Sequence, residues 1–274
     1  MTTAKYEPYF VFCNCCDFDL NIYKTVNLCD NCENEYSGDN PCNLYRDKNN
    51  NIILKEDTHI IKFEAEKELH GISSFPSSII SITIESCDVN EIPELPASLI
   101  TIDITANKIV SLPELPPTLK SLYCSYNELI GLPILPKSLR KLYCEKNQIT
   151  SLPELPASLQ AFSCARNKIS DLPEFPTGLT YLSVGENNIE SMPEIPSSVT
   201  SFNCGNNKLL EIPDVPEILD SLVITNNYIK YLSKHNIDVF IKMQKNNRKL
   251  YFINNPFCAT FDFEWLYIRY IMEE

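Results

Sequence analysis

At 274 residues the chain has room for one or two ordinary domains, and a hydrophobic fraction of 44% belongs to a folded rather than a disordered polypeptide. Its net charge of -13 opposes binding to a phosphate backbone, which needs a basic surface to displace counterions, so nucleic acid is not an expected partner. No stretch approaches the roughly 18 apolar residues that cross a bilayer, and residues 1–8 lack the basic-then-apolar pattern of a secretory signal, so no membrane contact is expected.

Residues 1–50 read as a cysteine-rich, aperiodic module. Cys13-x-x-Cys16 is followed after twelve residues by Cys29-x-x-Cys32. Four thiolates at this spacing can close a tetrahedral shell around zinc, so structural zinc is the expected cofactor, with disulfides or free thiols as the alternative. Cys15 competes with Cys16 for the first knuckle, and Cys42 is spare. Little apolar material lies between residues 13 and 45, so metal would supply most of that segment's folding energy. Four sulfur ligands leave no open coordination position, which argues against a catalytic metal. A RING-type ligase module would need a second ligand set, which Cys42 and His59 do not supply.

The polar run at residues 47–51 reads as a linker. Residues 51–74 carry the β-leaning patch Ile60, Ile61 and Phe63, which fits the following pattern poorly; an N-terminal cap or degenerate repeat is expected there.

Residues 75–229 then repeat one pattern eight times with a period of 20. Each copy has an apolar residue, Pro, usually Glu, another apolar residue, Pro, and then L-x-x-L-x-C-x-x-N-x-L; residues 112–129, 132–149 and 152–169 are the cleanest. A fixed short period marks a solenoid, whose units stack because none can bury its own apolar face alone. Leu122 and Cys124 alternate with Ser121, Tyr123 and Ser125, the period of a half-buried strand, and equivalent strands would form a parallel sheet. Prolines three apart, as Pro133 and Pro136, favour an extended backbone and exclude a helix interior. The asparagines at 107, 127, 147, 167, 187, 207 and 227, with Cys87 in the same place, would form an internal hydrogen-bonded ladder.

This tandem LPxLPxxLxxLxxxxNxL pattern resembles the short leucine-rich repeats of bacterial secreted effectors and of large-DNA-virus proteins. The resemblance implies a mostly β, α/β repeat solenoid: a horseshoe with a parallel concave sheet and an extended, Pro-rich convex side. Some such effectors carry a separate ubiquitin-ligase domain with a catalytic cysteine. Only about 45 residues follow these repeats, and residues 230–274 read as a C-terminal cap, so that activity does not carry over. Within the cap, residues 235–245 suggest a short helix, 250–253 a strand and 261–272 a final helix.

Cys124, Cys144, Cys164 and Cys204 fall where other copies have Ile84, Ile104, Val184 and Ile224, so they read as small core hydrophobes rather than a metal or redox column. The twelve cysteines thus form two sets, neither needing disulfides, which places the protein in a reducing cytoplasm, its own cell's or a host's. On the outward strand face, Tyr123, Tyr143 and Tyr181, with Lys141, Lys146 and Arg166, are the candidate contacts for a protein partner. The three histidines are isolated, six glycines offer no phosphate cradle, and the common hydrolase, kinase and nucleotide motifs are missing. The expected function is non-enzymatic protein binding, with no small-molecule substrate. The alternative is a substrate-recognition adaptor in ubiquitin transfer or host manipulation that uses the zinc module.

Overall fold

The computed structural model describes residues 45–46, 52–53, 59–64 and 72–259. Cys13, Cys16, Cys29 and Cys32, together with Cys15 and Cys42, lie outside them, as does the helix expected over 261–272. Strands β1 (Tyr45–Arg46) and β2 (Ile52–Ile53) pair antiparallel. Ten further strands follow: β3 (Ile60–Glu64), β4 (Ser81–Glu85), β5 (Thr101–Asp103), β6 (Ser121–Tyr123), β7 (Lys141–Tyr143), β8 (Ala161–Ser163), β9 (Tyr181–Ser183), β10 (Ser201–Asn203), β11 (Ser221–Val223) and β12 (Lys249–Tyr251). They form one sheet in chain order, and every neighbouring pair is parallel.

From β4 to β11 the register advances by 20 residues per strand, as Leu122↔Leu142 shows. The sheet extends one strand past the regular pattern at each end. Ile61 pairs with Ile82, a step of 21, and Leu250 pairs with Leu222, a step of 28. Strand β3 belongs to the sheet because it alternates correctly: Ile61 and Phe63 point into the core and are buried. The longer step to β12 accommodates helix α1 (Lys234–Lys245).

Inside each coil four apolar side chains converge. Leu119, Leu122, Cys124 and Leu129 are fully buried, and so are their counterparts in the next coil, Leu139, Leu142, Cys144 and Ile149. Phe162 and Phe202 take the place of Leu122 in two coils and are buried equally well. The proline-bearing side carries no helix within residues 75–229. Instead the second proline opens a tight turn, as when Leu139 N–H donates to Pro136 O at 3.0 Å. Ser or Thr in that turn bridges back to the previous coil. Ser138 Oγ reaches both Pro117 O and Leu119 O at 2.6 Å, and Ser98, Thr118, Ser158 and Ser198 repeat the bridge. At the last coil Arg248 Nη1 donates to Glu217 O and Leu219 O, both at 2.9 Å, and so replaces the hydroxyl.

The asparagines are the second inter-coil device. Asn147 Oδ1 accepts from Leu129 N–H at 2.9 Å, while its Nδ2 donates to Cys124 O, Cys144 O and Glu145 O. The same set recurs at Asn127, Asn167, Asn187 and Asn207, and Asn255 continues it into the cap. Buried backbone groups at the turn off the sheet are thereby paired, which an apolar side chain could not achieve.

α1 closes the far end. Ser233 caps it by accepting from Asn236 N–H at 3.1 Å and ties it to the repeats by donating to Asp214 Oδ1. Asn236, fully buried, bonds Val215 N–H and Pro213 O, and Val239, Phe240 and Met243 complete the apolar contact.

Candidate functional site: the outward face of the sheet

Strand alternation puts one residue set in the core and the other on the open face, so positions 121, 123 and 125 of one coil lie beside 141, 143 and 145 of the next. Tyr123 and Tyr143 are direct register partners. Their rings stack with centroids 5.3 Å apart and 12° between planes. Tyr143 also meets Tyr181 at 6.1 Å and 32°, although Tyr181 stands two strands away. The intervening β8 presents only Ala161 and Ser163 outward, so nothing bulky separates the rings. Ser163 is fully buried beneath them and donates its hydroxyl to Glu145 Oε1. Ser125 and Ser183 are buried on the same face, and Ser125 Oγ accepts from Glu145 N–H at 3.1 Å. The result is a continuous aromatic strip across four strands on a floor of satisfied serines.

Burial is the largest cause pushing both the Tyr143 and Tyr181 phenols up, followed by Tyr181 for the first and by Glu145 for the second. Both therefore remain neutral hydroxyl groups at physiological pH, able to donate as well as accept.

The six residues expected as contacts divide in two. Tyr123, Tyr143 and Tyr181 come together, and Lys141, exposed, begins β7 beside Ser121. Lys146 and Arg166 go elsewhere. They occupy a column at the edge of the sheet where each coil has a left-handed residue: Ala106, Tyr126, Lys146, Arg166, Glu186, Asn206 and Asn226, with φ between 51 and 59°. There Lys146 Nζ sits 4.8 Å from the Tyr126 ring centroid, and Arg166 Nε bonds Glu186 Oε1 at 2.8 Å. Their charges are thus engaged within the column. Two carboxylates that the aromatic pattern does not announce belong to the face instead, Asp103 on β5 and Glu145 at the end of the β7 coil. The alternation that places Tyr123 outward places them outward as well, which was the available signal.

The cysteine column sits on the other side of the same strands. Cys124, Cys144, Cys164 and Cys204 are fully buried, unbridged thiols, and burial pushes each of them well up. Such thiols are inert. Among the described residues no group of His, Cys, Asp and Glu is arranged to hold a metal, and no helix is long and apolar enough to cross a membrane.

No protein-family model and no curated protein matches the chain. Solved structures do. YopM from Yersinia enterocolitica superposes with a TM-score of 0.58 at 34% identity, over 60% of this chain and 36% of YopM. A Shigella effector leucine-rich-repeat domain gives 0.54 at 28% identity, over 63% of this chain and 80% of that one. The chain has the leucine-rich-repeat fold. It spans only about a third (36%) of the YopM chain, so what it shares with YopM is the repeat architecture. A leucine-rich-repeat protein of Leptospira interrogans, at 22% identity and a TM-score of 0.53, shares the fold alone.

Proposed function

We propose that this is a non-enzymatic protein-interaction module whose partner lies across the concave sheet, centred on Tyr123, Tyr143 and Tyr181. The observation that carries the reading is the unbroken ring contact of these three tyrosines across a β8 that presents only Ala161 and Ser163. Tyrosine supplies rigid contact area with a polar tip at little entropic cost, and aromatic residues are enriched where proteins meet. A solvated strand face needs no such clustering, and the neighbouring β10 presents only Ser201 and Asn203. The effector-like neighbours are consistent with a repeat domain that binds protein. Among the described histidines, His235 is taken up by Val215 O at 2.9 Å, a structural contact rather than a catalytic one.

The cysteine-rich N-terminal module, with zinc on Cys13, Cys16, Cys29 and Cys32, is proposed on ligand spacing as an accessory contact or cap. A reducing cytoplasm suits both it and the unbridged core thiols.

Affinity capture from the native cell tests the face. The parent is compared with Tyr123→Ala/Tyr143→Ala/Tyr181→Ala and with Glu154→Gln/Glu174→Gln, exposed between the paired prolines on the opposite, convex side. Loss of the same partner from the tyrosine variant only is expected; equal recovery by parent and tyrosine variant would move the site elsewhere.

A further inference from the structure

Tyr123 uses only one side of its ring for stacking. Tyr143 covers the β7 side; on the β5 side its register neighbour is Asp103, and among the described residues no second ring meets it there. Asp103 is oriented by Thr105 N–H, which donates to Oδ1 at 3.0 Å, and among the described residues no hydrogen bond engages Oδ2. Neither Asp103 nor Glu145 joins an ion pair among the described residues, although Lys108, Arg166, Lys242 and Arg248 all find one. The strip therefore has an unpaired carboxylate, Asp103, beyond its β6 end, and a second, Glu145, beside its middle ring. Two cations of the face, Lys62 on β3 and Lys141 on β7, each stand two strands or roughly 10 Å from Asp103.

A half-exposed ring face beside an oriented, unpaired carboxylate suits a flat cation. We propose that an arginine of the protein partner packs its guanidinium on the β5 side of Tyr123 and pairs with Asp103. This rests on the concave-face reading and adds the chemistry of the partner: a protein segment that presents arginine. Arginine fits better than lysine because a planar guanidinium stacks on a phenol and offers its N–H fork to the carboxylate at once. An acidic partner would meet the charges of Asp103 and Glu145 unrelieved. The net charge of -13 also favours encounter with a basic segment.

The full chain is titrated at low ionic strength with a fluorescein-labelled peptide, Gly-Ser-Arg-Ser-Arg-Ser-Gly, and with its lysine and citrulline counterparts, read by anisotropy. The arginine peptide binds tightest, and Asp103→Asn weakens it about tenfold, the effect of losing one charge-assisted contact. Asn at 103 keeps an oxygen for Thr105 N–H, so folding is preserved. Tyr123→Leu, an independent variant, weakens binding roughly fivefold. Glu154→Gln/Glu174→Gln, which removes as much or more charge from the convex side, changes it less than about twofold. Parent-like affinity in Asp103→Asn, loss only in the convex variant, or no binding of the arginine peptide to the parent overturns the proposal. A chain that loses its cellular partner on tyrosine replacement yet ignores the arginine peptide keeps the concave-face reading and discards this one.

Discussion

Asn147→Ala measures what the internal ladder contributes. The Leu129 N–H has Asn147 Oδ1 as its acceptor, at 2.9 Å, and Leu129 is fully buried, so truncation leaves a donor that water cannot reach. That alone costs about 1–3 kcal/mol. The carbonyls are better insured. Cys124 O keeps the amide of Asn127 at 3.2 Å, and Cys144 O keeps that of Asn167 at 2.9 Å, so each loses one of two bonds and adds only a few tenths of a kcal/mol. The expected total is about 1.5–4 kcal/mol. Urea denaturation followed by circular dichroism gives the midpoint and slope, with exposed Asn188→Ala as a control expected within about 0.5 kcal/mol. Repeat arrays can lose two-state behaviour, so an unchanged slope is part of the expected result. If Asn147→Ala and Asn188→Ala prove equally stable, the ladder is decoration and the argument for inter-coil cohesion fails.

Gly178 interrupts the hydroxyl column, and a Cβ built there meets nothing within 4 Å. Gly178→Ser should therefore bridge Ala157 O and Leu159 O as Ser158 and Ser198 bridge theirs, raising stability by about 1–2 kcal/mol together with the lower unfolded-state entropy; a decrease in the urea midpoint would contradict it. The four core thiols hold their protons more tightly when folded than unfolded, so their stabilisation is complete below the unfolded pKa of about 8.5 and is lost as pH rises above it. Stability should fall by about 1.4 kcal/mol per thiol per pH unit above that point, and Cys144→Val, which copies Val184, should remove one thiol's share of the slope; identical slopes in parent and variant would refute this. Protein purified under reducing conditions should carry about one zinc per chain, and Cys29→Ser/Cys32→Ser should abolish it by elemental analysis; a metal-free parent ends the zinc proposal.

The 20-residue period, the inward Leu and Cys positions, the asparagine ladder, the extended proline side and α1 were all legible in the sequence. Each depends on contacts between equivalent positions of adjacent coils, so a one-dimensional repeat carries the information. Tertiary structure decided where that regularity stops. β3 and β12 join the sheet with steps of 21 and 28, because pairing needs only an alternating strand at the open edge and not an equal spacer. It also decided the site. Tyr181 stands at a different strand position from Tyr143 and reaches it only because β8 is small, while the left-handed turn turns Lys146 and Arg166 toward Tyr126 and Glu186. The Tyr143–Tyr181 contact crosses strands that are not neighbours, which no period encodes, and the lateral contacts of Lys146 and Arg166 depend on the side-chain direction set by the left-handed turn.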